Sequence, residues 1–218
     1  MISNFKHMTY KKIIITIITL VFYYPGFSQP TKNYLTFNIG LQQSNTFTKP
    51  FYSFIGDEGG VIYEQLGATF FDFNILYQKQ IFKSRFNELL GIGLNQKGYI
   101  EKGRDFNYNY SLKIRKTYVP LFLGMNNNFV DKKKYTLSIG QILMPEIVIM
   151  GGELYKKVAL STRTTFTISF KSTKQRTLNV SSFFQTSLSK YDKVNFYKIS
   201  SVYWPYSYGI NIGVSLNK

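Results

Sequence analysis

The chain has 218 residues, no cysteine and a single histidine, His7, and its formal net charge is +16. That length suits one domain. It excludes disulfides, and past His7 it excludes Ser-His-Asp and Cys-His sites and any metal site that needs imidazole or thiolate. The mean hydropathy of −0.13, beside 18 Tyr and 20 Phe, is not that of an apolar helix bundle and suits pleated sheet with aromatic faces.

Residues 1–28 read as a cleaved signal peptide. Lys6, Lys11 and Lys12 form a basic stretch before an apolar run at Ile13–Tyr24. That run is shorter than the roughly 20 residues a helix needs to cross a bilayer. Gly26 and Ser28 supply the small residues of a cleavage site, with Gln29 as the new N-terminus; Met8 is an alternative start. No cysteine follows, so lipoprotein anchoring is excluded. Loss of the three lysines leaves a net charge of +13 on residues 29–218. Export argues against nucleic acid as the partner of those bases, many of which fall in turns and loops. There they meet solvent and anionic lipid headgroups, or a dedicated acidic ligand.

From Tyr34 onward the sequence alternates with period two. Strand one spans Tyr34–Gln42, with Leu35, Phe37, Ile39 and Leu41 on one face and Thr36, Asn38, Gly40 and Gln42 on the other. Strands two to eight are expected near Ala68–Gln80, Asn87–Gly98, Lys113–Met125, Lys134–Leu143, Val158–Lys171, Thr177–Ser189 and Tyr206–Asn217. Phe71, Phe73, Ile75 and Tyr77 oppose Asp72, Asn74 and Gln78; Tyr206 to Leu216 oppose Ser207 to Asn217 most cleanly. Pro120 cannot donate a ladder hydrogen bond, so a bulge is expected there. Connections after strands 1, 3, 5 and 7 are long (Gln43–Gly67, Tyr99–Leu112, Met144–Lys157, Lys190–Pro205), and those after 2, 4 and 6 are short.

Eight strands long enough to cross a bilayer, with alternating long and short connections, give an all-β, eight-stranded antiparallel up-and-down transmembrane barrel. Period two does not say which face points inward. The polar face is rich in Gly, Ser, Thr and Asn and poor in charge, unlike the solvent-exposed face of a soluble sheet. Tyr77, Tyr135, Tyr206 and Tyr208 sit near the ends of the apolar faces, as interfacial girdles require. The apolar face is therefore expected to meet lipid. Asp72, Lys97, Lys116 and Arg163 then point into the lumen, either as an ion-pair network that fills it or as a charged conduit. An eight-strand interior is just wide enough for side chains, which favours the network.

Strand three running into Asn95-Gln96-Lys97-Gly98, the YVPLFLG segment Tyr118–Gly124 and the YTLSIGQ segment Tyr135–Gln141 resemble the PorT-like small outer-membrane barrels of Bacteroidota. The resemblance covers residues 29–218 and implies an outer-membrane address; some relatives are linked to secretion and gliding machinery. One departure is the ending Ser215-Leu216-Asn217-Lys218, where outer-membrane barrels commonly end on an aromatic residue.

No catalytic, cofactor or metal residue is expected. Asp57 with Glu58, and Glu101 with Asp105, are the only carboxylate pairs of note, and in Gly-rich connections they read as turn formers or weak calcium ligands. The Gly59-Gly60 and Gly151-Gly152 pairs lack the Gly-Lys-Ser/Thr of a phosphate loop. The expectation is a non-enzymatic barrel embedded in a lipid bilayer with lipopolysaccharide. It would display loops to an envelope partner, with Phe51, Tyr52 and Phe54 as contacts, or serve envelope assembly or secretion. A soluble lipocalin-like barrel holding an apolar ligand, and a narrow pore, are the alternatives.

Overall fold

The computed structural model describes residues 32–47, 52–54, 60–62, 64–81, 85–105, 108–150, 158–172, 176–189, 193–196, 199–202 and 204–217. Eight long strands build one closed barrel: β1 (Asn33–Phe47), β2 (Glu64–Gln80), β3 (Phe86–Asp105), β4 (Tyr108–Asp131), β5 (Tyr135–Met150), β6 (Val158–Lys171), β7 (Arg176–Ser187) and β8 (Trp204–Asn217). Each pairs antiparallel with its neighbours in sequence. β8 closes on β1, from Tyr34 opposite Asn217 to Phe47 opposite Trp204. Closure satisfies the backbone within the wall and removes sheet edges, the condition for a sheet to cross lipid. Two short hairpins, Tyr52–Phe54 with Gly60–Ile62 and Lys193–Phe196 with Ile199–Val202, stand in the first and fourth long connections.

The strands overrun the expected bounds, chiefly at the long-loop end. β3 and β4 leave only residues 106–107 between them, and Asp105 pairs with Tyr108. The polar segment 99–112 is thus mostly ladder that continues beyond the barrel wall. β4 has 24 residues, more than twice the ~9–11 a tilted crossing needs. Ile147–Met150, expected in a connection, completes β5. At the other end the polar stretch 126–131 extends β4, and the turn is confined to 132–134. Pro120 pairs opposite Glu146, and the register against β5 slips between Thr117 and Tyr118, two residues away. The expected irregularity is therefore present but displaced from the proline.

The apolar face is outside. Ile39 and Ile212, register partners across the β1–β8 seam, are 65% and 56% exposed, and Phe73, Ile92, Leu121 and Phe166 are exposed as well. A continuous apolar belt around the whole wall is incompatible with water on that side; it is the lipid-facing band of a membrane barrel. This orientation overturns the lipocalin-like alternative, which needs these side chains inside. Aromatics border the belt at both ends. Tyr77, Phe86, Tyr135 and Phe170 lie toward the short turns, where Tyr135 pairs with Phe170, and Tyr206 and Tyr208 lie toward the long loops.

The inner wall uses glycine where a neighbouring ring comes close against it. A methyl carbon at Gly93 would stand 2.9 Å from the Phe122 ring, and one at Gly209 2.8 Å from the Phe183 ring. These two rings occupy the space that the glycines leave.

Candidate functional site: a plugged lumen

The alternation that sends apolar residues outward brings polar ones from every strand to one axis. Asp72 on β2 is 0% exposed and Arg163 on β6 is 2% exposed. They meet fork to fork: Arg163 Nη1 donates to Asp72 Oδ2 at 2.9 Å and Nη2 to Oδ1 at 2.8 Å. Bidentate charge-assisted pairs are the strongest hydrogen bonds available to side chains. Asn74 and Asn211 also donate to Asp72 Oδ2, at 3.0 and 2.9 Å. Arg163 Cζ lies 4.1 Å from the Phe183 ring centroid and 5.3 Å from that of Phe122, within cation–π range.

A second pair stands beside the first. Lys97 Nζ on β3 donates to both oxygens of Glu146 on β5, at 2.6 and 2.7 Å. Ser161 Oγ donates to Glu146 Oε2 at 2.6 Å. Lys97 also lies 5.1 Å from the Tyr118 ring centroid. Gln185 on β7 joins the pairs: its Oε1 accepts from Arg163 Nε and Nη2, and its Nε2 donates to Glu146 Oε1 at 3.0 Å. Asn38 on β1 donates to Asn74 Oδ1 at 2.7 Å. With Phe122 and Tyr118 from β4 and Asn211 from β8, the cluster draws on all eight strands and fills the cross-section.

Taking two pairs out of water is costly, and each is tolerable only because its remaining donors and acceptors are met. Removing one partner typically costs about 3–5 kcal/mol, because the other charge is stranded.

Toward the short turns the lumen opens into a cavity of about 120 Å³. One side is amide and hydroxyl (Asn38, Asn179, Thr167), and the other is the apolar cluster Leu76, Leu89, Phe122 and Ile142. The cavity has more than enough space for ordered water, and Arg163 of the ion-pair cluster lines it.

The expected inward residues Asp72, Lys97, Lys116 and Arg163 are all buried. Asp72, Lys97 and Arg163 join the cluster; Lys116 lies opposite Lys97 in the β3–β4 register. The sequence reading missed Glu146, the counter-charge of Lys97, because it placed residues 144–157 in a connection. It also missed the inward apolar cluster. Asp57, Glu58 and Phe51 lie outside the described residues, as do the side chains of Tyr52, Phe54, Glu101 and Asp105. Among the described residues no group of three or more His, Asp or Glu could hold a metal ion.

Fold and lumen together define a small transmembrane β-barrel. No family model and no curated protein matches the chain. Among solved structures it is similar to the crystal structure of Neisserial surface protein A, at TM-score 0.56 and 12% identity over 86% of this chain and 99% of that one. It also aligns with outer membrane protein AlkL in lipid bilayers, at TM-score 0.49 and 9% identity over 89% and 95% of the two chains. The outer membrane protease OmpT from Escherichia coli aligns at TM-score 0.41 and 8% identity over 90% and 99%. At these identities the likeness concerns the fold.

Proposed function

We propose that this chain is an exported outer-membrane barrel without catalytic activity. Its rigid wall presents the long-loop end to an envelope partner or to lipopolysaccharide, as an accessory in envelope assembly or secretion of the PorT-like kind. The observation that carries this reading is the side-chain cluster drawn from all eight strands, which leaves the lumen little room for transport. Interaction is thereby assigned to the two ends. Among the described residues the longest projecting element is the β3–β4 hairpin, whose paired strands run on to Asp105 and Tyr108. Residues 1–28 act as the signal that sends the chain through the inner membrane. The absence of His and Cys from residues 29–218 supports a non-enzymatic role, because only carboxylates, Lys and Tyr remain as general bases.

The test is extraction from native membranes followed by gel migration before and after heating, with protease applied to intact cells. The reading expects recovery only with detergent, a heat-dependent shift, and cleavage within the long-loop segments. Recovery in the soluble periplasm would reject it, and co-purification from those membranes would identify the partner. A pore is the second reading, favoured only by the cavity inside the lumen. Planar-bilayer recordings are expected to show no conductance, and steady single-channel steps would reverse the preference.

A further inference from the structure

The two ends of the barrel differ in charge in a way that the net value hides. Among the described residues, those of segments 45–67, 99–116, 147–158 and 188–204, at the long-loop end, include six bases and three acids. Those of segments 30–34, 78–88, 126–135, 170–177 and 216–218, at the short-turn end, include eight bases and only two acids, Glu88 and Asp131. We propose that the short-turn rim is a basic collar that binds the phosphates of anionic phospholipids in the leaflet on that side.

Three observations favour lipid over a protein. The first is distribution. Lys32 precedes β1, Lys79 lies in the last turn-ward residues of β2, and Arg85 precedes β3; Lys132–Lys134 join β4 to β5, and Lys171 and Arg176 flank the next turn. Bases thus stand on or beside seven of the eight strands, right around the perimeter. A globular partner covers one side of a rim, whereas the membrane touches all of it. The second is depth. Lys79 continues the outward row of Tyr77, Arg176 that of Leu178, Arg85 abuts Phe86 and Lys134 abuts Tyr135. Each base lies within two residues of an outward aromatic or aliphatic side chain, the level where interfacial girdles meet headgroups. The third is exposure. Lys32, Arg85, Lys132, Lys133, Lys134 and Arg176 are all exposed, and of the two acids Asp131 is engaged by Lys171. Ammonium and guanidinium groups at this level reach phosphate oxygens while their stems stay against the apolar wall.

This inference rests on the bilayer-spanning reading, and its test separates the two. Residues 29–218 are refolded into phosphatidylcholine vesicles containing a minority of phosphatidylglycerol. Spin-labelled lipids of each kind then report the composition of the boundary shell. The collar predicts about fivefold preference for phosphatidylglycerol, the equivalent of roughly 1 kcal/mol per base at an anionic surface, screened away near 1 M salt. A variant carrying Lys79→Gln, Lys132→Gln, Lys133→Gln and Arg176→Gln, half of the bases named above, should show a clearly lower preference. A control with Lys102→Gln, Lys113→Gln and Arg115→Gln at the other end should keep it. Insertion without preference, or loss of preference in the control instead, overturns the collar and leaves the barrel standing. Saturable binding of inorganic phosphate at matched ionic strength, with no preference between lipids, assigns the rim to a soluble anion and overturns it too. Failure to insert in any vesicle overturns the bilayer reading and the collar with it.

Discussion

The inner and outer faces of this wall are made by alternate residues of the same strands, yet they obey opposite rules. Outside, Phe73, Ile92, Leu121, Phe166 and Ile212 need only be apolar, since each meets fluid chains that adapt to its shape. Inside, Asp72, Arg163, Glu146, Lys97 and Gln185 depend on one another atom by atom. The outer face should tolerate changes of shape but not of polarity. The inner face should tolerate neither, unless whole pairs are exchanged together.

The largest effect is expected inside. Asp72→Ala strands the Arg163 guanidinium in the lumen and should cost about 3–5 kcal/mol, read as a lowered urea midpoint for unfolding from vesicles or micelles. Asp72→Leu combined with Arg163→Met removes both charges and should recover most of that loss. A double variant no better than the single one would show that the pair is not a unit. Next is the outer face. Ile212→Lys should cost about 2–4 kcal/mol if the residue lies near the bilayer midplane, whereas Ile212→Leu should be nearly silent in the same assay. A third change tests crowding. Gly93→Ala places its methyl against the Phe122 ring and the Phe73 carbonyl oxygen, at 2.9 and 2.5 Å, and should cost about 1–3 kcal/mol. A neutral result would mean that Phe122 has room to move.

The smallest effect lies at the short-turn rim, outside the apolar belt. Asp131 accepts hydrogen bonds from Lys171 and from Thr136. The Lys171 hydrogen bond is the main reason its carboxyl is held below the ordinary carboxylate range, against a partial desolvation that pushes the other way. With the folded value below the unfolded one, the stabilisation is complete above the ordinary range and is lost as pH falls through the folded value. Exposed pairs of this kind contribute about 0–1 kcal/mol. Asp131→Asn should therefore flatten a shallow acid-side slope in the unfolding midpoint, lowering the midpoint slightly at neutral pH and leaving it unchanged at low pH.

How far the sequence reached follows the same division. Strand faces were legible wherever lipid enforced alternation, as in residues 35–41 of β1 and 206–216 of β8, where every second residue is apolar. Strand ends were not. Beyond the bilayer a ladder has no apolar face to maintain, so 99–112 and 126–131 read as polar connections although they are paired. Glu146 was hidden for the converse reason. Ile142 and Met144 point inward while Leu143 and Ile147 point outward, so the alternation vanishes into one apolar run just before the acid. The long-range partnership of Asp72 with Arg163, 91 positions apart, leaves no local trace. Only the parity of each residue within its own strand hinted that both face the axis.

The chain's lack of cysteine makes single-site labelling the most direct measurement of which face meets lipid. A nitroxide is placed in turn at Phe73, Ile212, Ser138 and Asn179 of the barrel in vesicles. Its relaxation is then compared with oxygen, which concentrates in the bilayer, and with a water-soluble nickel complex. The inverted wall predicts strong oxygen and weak nickel accessibility at Phe73 and Ile212, with low oxygen accessibility at Ser138 and Asn179. Oxygen accessibility at Ser138 and Asn179, with Phe73 and Ile212 shielded from both reagents, would turn the barrel inside out and contradict the account.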